Sequence, residues 1–238
     1  MEKDIDSFLL IGQSNMCGRG IIGRVPPIPA EGVRFMLRNG RWTPMSEPIN
    51  PDRRIFVDSD NELRSGVSLA ASFAEAYTNA TQRKIGLIPC AEGGSAIREW
   101  QPGEVLFDHA VMQTKLALRS SRLRGILWHQ GESDSHNLEE VQAYEPAFLR
   151  LMRALLDEVN GGEPLPIVIG EISTLVQNRW PCCREINAVL HKIAAEHDNI
   201  AIASAEGLDL SPDGMHFSAA AYRTLGRRYF EAYQTLVP

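Results

Sequence analysis

At 238 residues, 44% hydrophobic and 23% charged, the chain has the length and composition of one soluble globular domain that can bury a full core without staples. Its net charge of −6 is spread along the sequence with no basic stripe or polybasic arm, which excludes the usual nucleic-acid or membrane-surface binder. The four cysteines (Cys17, Cys90, Cys182, Cys183) lack zinc or redox spacing and read as reduced thiols; "MEKDIDSFLLIGQSN" is neither a signal peptide nor a membrane span, so a cytoplasmic location is expected.

The first apolar run, 7–12, predicts a buried strand and ends in "GQSNM", a serine set in a glycine-rich turn. Residues 24–65 break the pattern: Pro26, Pro27, Pro29, Pro44, Pro48 and Pro51 mark a loop-rich insertion, with "VRFML" as material for a small hairpin. An amphipathic stretch at 66–79 leads to a second strand, 84–89, and then "CAEGGSAI". Helix 105–120 precedes strand 124–129 and "HQGESD"; helix 138–159 precedes strand 166–172; helix 181–197 precedes strand 199–204 and a loop to "SPDGMHFS". Ser218 caps a last helix over 219–235. Strands alternating with helices imply one α/β domain over 1–238, a parallel sheet with helices on both faces.

In such a sheet ligands bind beyond the carboxyl ends of the strands, where these polar segments fall. Ser14 at a strand end is either a helix cap or a nucleophile; it lies outside G-x-S-x-G, because position 16 is Met. Asp213 and His216, three apart before the last helix, suit a general base and the carboxylate that orients it, or a plain Asx turn. Gly93 and Gly94 can bring a backbone N–H close to a ligand, with Gly94 taken as the donor, and Gln130 offers a side-chain amide. Gln13, Gly93, Glu132 and Arg98 are further candidates for lining the site, and Trp100 either borders a sugar pocket or packs in the core. His129, Glu132 and His136 match no known zinc spacing, so no metal and no cofactor are expected.

Taken in order, "GQSNMCGRG", "PCAEGGSAIREW", "HQGESD" and "DGMHFS" resemble the SGNH (GDSL-like) hydrolases, and within them the sialate O-acetylesterase and acetylxylan-esterase branch. The resemblance spans nearly the whole chain. It implies a three-layer α/β/α fold on a flavodoxin-like five-stranded parallel sheet. It also implies Ser14 as nucleophile, His216 as base, Asp213 as its partner, and an oxyanion hole from Ser14, Gly93 or Gly94, and Gln130. The chain departs from the wider family in having Gln13 before the serine and no G-x-N-D; the esterase branch has the same "GQSN" and "QGESD", which puts Gln130 in the place of the missing Asn. The expected activity is removal of O-acetyl groups from sugars through an acetyl-enzyme, with a small or oligosaccharide ester as partner. The rivals are a non-catalytic glycan binder and a metal-dependent hydrolase built on 129–136.

Overall fold

The computed structural model describes residues 4–50 and 65–237. Its sheet has seven strands: β1 (Ile5–Gly12), β2 (Arg34–Arg38), β3 (Arg41–Pro44), β4 (Lys84–Pro89), β5 (Ser121–His129), β6 (Ile167–Gly170) and β7 (Ile200–Ala203), in the order β3-β2-β4-β1-β5-β6-β7. The helices are α1 (Ser14–Cys17), α2 (Leu69–Thr81), α3 (Val105–Ala117), α4 (Leu138–Asn160), α5 (Cys183–Glu196) and α6 (Ala219–Thr235). The five apolar runs are the five strands expected, and all pair in parallel. The two extra strands correct the count. "RFML" and the residues after it form an antiparallel hairpin whose first strand pairs in parallel with β4, widening the sheet at one edge. Gly86 makes this possible, since a Cβ there would lie 2.6 Å from the ring of Trp42, which crosses β4.

Alternation along β1 sends Phe8 and Leu10 to one core and Leu9 and Ile11 to the other. The first core is closed by α2 and α6, where Phe8 packs edge-on against Phe73, Tyr77 and Tyr233. The second is closed by α3, α4 and α5, with Trp100 and Trp128 in T-shaped contact. Three layers result, as expected. The proline-rich insertion is tied down by a buried ion pair between Glu47 and Arg223 of α6, and Glu47 also accepts from the Ser68 N–H. Asn50 donates to the carbonyl of Ala91, so this segment reaches the loop after β4; residues 51–64 of the insertion lie outside the described residues.

β1 lies between β4 and β5, and the chain fills one side of it with β2, β3 and β4 before it fills the other with β5, β6 and β7. The carboxyl end of β1 is therefore the topological switch point, where a crevice opens. At the opposite end of β1, Asp6 is fully buried and accepts from Arg83, from Arg124 at 2.8 Å and from the Tyr77 hydroxyl at 2.8 Å. Burial raises its carboxyl, but these donors outweigh burial and hold it below the ordinary carboxylate range. A depressed folded value means stability that is present above the unfolded value and lost as pH falls through the folded one. Asp6→Asn should therefore cost about 2–3 kcal/mol at neutral pH, less than a fully buried pair because both arginines reach water. In denaturant titrations the gap to wild type should close as pH falls through the Asp6 value; a gap constant with pH would assign the loss to packing.

Candidate active site

Gly12 ends β1 at φ +126°, and a Cβ there would lie 2.2 Å from the His129 carbonyl oxygen. Only glycine lets the ends of β1 and β5 come this close. The next N–H, from Gln13, donates to that same carbonyl at 2.9 Å, and the chain turns at once into the single turn of α1. Ser14 opens that turn, half-buried at the crevice.

Across the crevice, the segment before α6 is pinned by a bridge between Leu210 and Phe217 and by the Ser211 N–H on the His216 carbonyl at 2.7 Å. Asp213 Oδ1 accepts from the N–H groups of Met215 and His216 at 2.9 and 3.0 Å, an Asx turn. Its Oδ2 lies 2.7 Å from His216 Nδ1, and His216 Nε2 lies 3.0 Å from Ser14 Oγ. The turn and the carboxylate–imidazole pair, alternatives in sequence, are one structure. A carboxylate only accepts, so Nδ1 carries the proton and Nε2 faces the serine hydroxyl as acceptor. Burial, with Arg19 and Arg179 adding to it, keeps His216 below the ordinary imidazole value of 6.5, against the pull of Asp213. Burial raises Asp213, but its hydrogen bonds from His216 and Met215 prevail and hold it low.

The side-chain donors differ from expectation. Gln130 is fully buried, and its Nε2 is spent on Gln13 Oε1 at 3.1 Å, the Ser95 carbonyl at 3.2 Å and Asp134 Oδ2 at 2.5 Å. No proton remains for a ligand, so Gln130 braces the loops instead. Gln13 is the freer amide. Its Oε1 also accepts from the N–H groups of Gly131 at 3.5 Å and Ser133 at 3.2 Å, which fixes the orientation of the carboxamide, and no described residue accepts from its Nε2. Of the two glycines, Gly94 is exposed with open space at its Cβ position, whereas a Cβ at Gly93 would stand 3.9 Å from Ser14 Cβ and 2.7 Å from the guanidinium of Arg19. Gly93 is the glycine beside the serine. Arg19 escaped the sequence reading, although "CGRG" placed an arginine five residues after the nucleophile candidate.

A family model described as carbohydrate esterase, sialic acid-specific acetylesterase, matches residues 4–235. The chain belongs to that family. A probable carbohydrate esterase of Arabidopsis thaliana is 29% identical over 244 residues, 95% of this chain and 89% of the relative. The X-ray structure of an Arabidopsis thaliana protein superposes with a TM-score of 0.82 at 28% identity, covering 96% of this chain and 97% of the other. The crystal structure of NanS superposes at 0.72 and 17% identity, covering 98% of each chain, a likeness of fold. The protein is thus an esterase with an SGNH-type fold.

Within this esterase the remaining candidates separate. Glu132 is buried and accepts from Asn15 Nδ2 at 2.5 Å; Arg98 is exposed. Trp100 is a core side chain, fully buried, donating to Ser95 Oγ at 2.9 Å. His129 is buried with Nδ1 on the Tyr229 hydroxyl at 2.9 Å, while His136 is exposed beside Glu140 at 3.3 Å. Among the described residues no three His, Cys, Asp or Glu side chains gather as metal ligands, and no helix is long and apolar enough to cross a membrane.

Gly12→Ala should cost about 3 kcal/mol or more from the clash and the positive φ, lowering Tm by roughly 6–12 °C. Gly94→Ala, strained in φ but free of contacts, should move it much less. A thermal melt of Gly12→Ala within about 2 °C of wild type would show that β1 and β5 can part at that point.

Proposed function

We propose that the protein removes O-acetyl groups from acetylated carbohydrates with Ser14 as nucleophile, His216 as general base and Asp213 as the carboxylate that orients it. The observation that carries this reading is the continuous line from Asp213 Oδ2 through His216 to Ser14 Oγ, with steps of 2.7 and 3.0 Å, at the switch point of the sheet. His216 Nε2 takes the hydroxyl proton as Oγ attacks the acetyl carbonyl carbon. The carbonyl electron pair moves onto oxygen, held by the backbone N–H groups of Ser14 and Gly93 and by Gln13 Nε2. Collapse reforms the carbonyl and expels the sugar oxygen, which takes the proton from His216 and leaves an acetyl-enzyme. Water then passes a proton to His216 while attacking that ester, and acetate departs as Ser14 regains its proton.

Arg19 favours a sugar that bears a carboxylate. Its Nη1 donates to the Gly18 carbonyl at 3.2 Å and Ser65 Oγ at 3.3 Å, while Nη2 lies over Gly93. It forms no ion pair with a described carboxylate. A guanidinium so placed beside the nucleophile suits the acid group of a sialic acid, the sugar in the family's description.

Acetate release from p-nitrophenyl acetate and from O-acetylated sugars tests the reading. Ser14→Ala should abolish turnover, and Asp213→Asn should lower kcat by ~10⁴-fold through the wrong imidazole tautomer. A chelator should change nothing. Activity surviving in Ser14→Ala would remove the serine from the mechanism. Because His216 must be neutral to act, kcat/KM should fall as pH drops through its value, with the midpoint below 6.5. Arg19→Gln should lower kcat/KM roughly 10–100-fold more for an acetylated sugar acid than for its neutral analogue; equal losses on both would dismiss the carboxylate.

A further inference from the structure

Asn15 follows the nucleophile and takes no part in the reaction above, yet it is 2% exposed and hydrogen-bonded at both ends of its carboxamide. Its Oδ1 accepts from the Phe217 N–H at 3.3 Å and the Tyr222 hydroxyl at 2.6 Å, and its Nδ2 donates to Glu132 Oε1 at 2.5 Å. The orientation is not free to reverse, because a backbone N–H can only donate and the amide oxygen must face it. One carboxamide thus joins three pieces of chain: the residue after Ser14, the residue after His216, and the turn after β5.

Glu132 is the unusual partner. It is 2% exposed, and its Oε2 meets no donor among the described residues. The titratable groups facing it are Asp134 of its own turn, Tyr144 of α4, and Tyr222 and Tyr229 of α6, none of them cationic. Burial pushes its carboxyl upward, opposed by the Asn15 hydrogen bond. A packing role would be served by an apolar side chain at lower cost, since a buried half-satisfied carboxyl is expensive.

We propose that Asn15 is a positioning residue for the ester cleavage: its carboxamide, oriented by Glu132, ties the segment carrying Ser14 to the segment carrying His216 and sets the distance the proton crosses. The inference rests on the Ser14–His216 pair of the proposed function. Ser14 opens α1 and His216 lies 202 residues on, in the segment before α6, and the Asn15 carboxamide accepts from the backbone N–H of the residue that follows His216. Misplacing reacting groups by an ångström costs about 10²-fold in rate without weakening substrate binding.

The test exchanges donor and acceptor. Asn15→Ala should lower kcat about 100-fold with KM within about threefold. Glu132→Gln keeps an acceptor for Asn15 Nδ2 and is the background against which the double variant is read. Asn15→Asp sets two carboxyls face to face, so its kcat should fall, and fall further as pH rises and their shared proton leaves. In Asn15→Asp with Glu132→Gln, the new amide donates to the new carboxylate, whose other oxygen still accepts from Phe217 and Tyr222. That pair should recover at least tenfold of the rate lost in Asn15→Asp and flatten its pH dependence. Labelling of Ser14 by a fluorophosphonate, measured beside ester turnover, reads the Ser14–His216 alignment without any sugar, so a wrong substrate assignment leaves this test intact. Wild-type kcat in folded Asn15→Ala, or a double variant no faster than Asn15→Asp, overturns the proposal. If Asn15→Ala does not fold, the single and double variants at 15 and 132 decide it.

Discussion

Between Gly12 and the carbonyl of His129 there is no room for a methyl group, and the geometry of the crevice follows from that closeness. Parallel neighbours in a sheet run about 4.8 Å apart, with side chains to either side. At the carboxyl end of β1 the chain must leave the ladder within one residue while its neighbour is still present. A bare Cα at positive φ does this, and the Gln13 N–H then takes the last ladder acceptor. Ser14 consequently starts a helical turn at the sheet edge, beside the turn after β5, not several residues out on a mobile loop.

This closeness creates an electrostatic problem that Gln13 and Gln130 resolve together. Backbone N–H groups of Gly131 and Ser133 and the carboxyl of Asp134 are driven into a space that water leaves. Each buried polar group left alone costs about 1–3 kcal/mol. Gln13 Oε1 collects the donors and Gln130 Nε2 donates to the acceptors, including the Ser95 carbonyl of the glycine loop, which leaves Gln130 Oε1 as the one amide oxygen of the pair without a partner among the described residues. Two amides with opposite ends engaged therefore join the loops after β1, β4 and β5. The same division leaves one free N–H end, on Gln13 and not on Gln130.

The distinction was invisible in sequence for a physical reason. Both glutamines follow strands and both can donate; which amide is spent depends on register across three strands, a long-range property. The same holds for Arg19, whose position over Gly93 arises only when the loops after β1 and β4 meet. By contrast Asp213 and His216 were legible, since a three-residue turn places both groups locally. The five parallel strands were legible from continuous apolar runs, and α6 from the Ser218 cap, which accepts from Ala221 at 3.1 Å. The hairpin of β2 and β3 is legible only as hairpin material, because strand propensity depends on its neighbours and the place of β2 is set by β4.

The two halves of the site are thus held by different physics, and this explains why a strut between them is needed. The Asp213–His216 pair is organised by its own turn and would keep its internal geometry wherever α6 carried it. Ser14 is organised by the sheet, through Gly12 and His129. Neither arrangement specifies the other, since α6 is held to α2 by an apolar face and to β5 by the Tyr229 hydroxyl on the Trp128 carbonyl, and neither contact includes Ser14 or His216. Directional hydrogen bonds are what fix a lateral position between apolar layers. Asn15 provides them at the point where the serine segment and the histidine segment meet, with Glu132 holding its amide from behind.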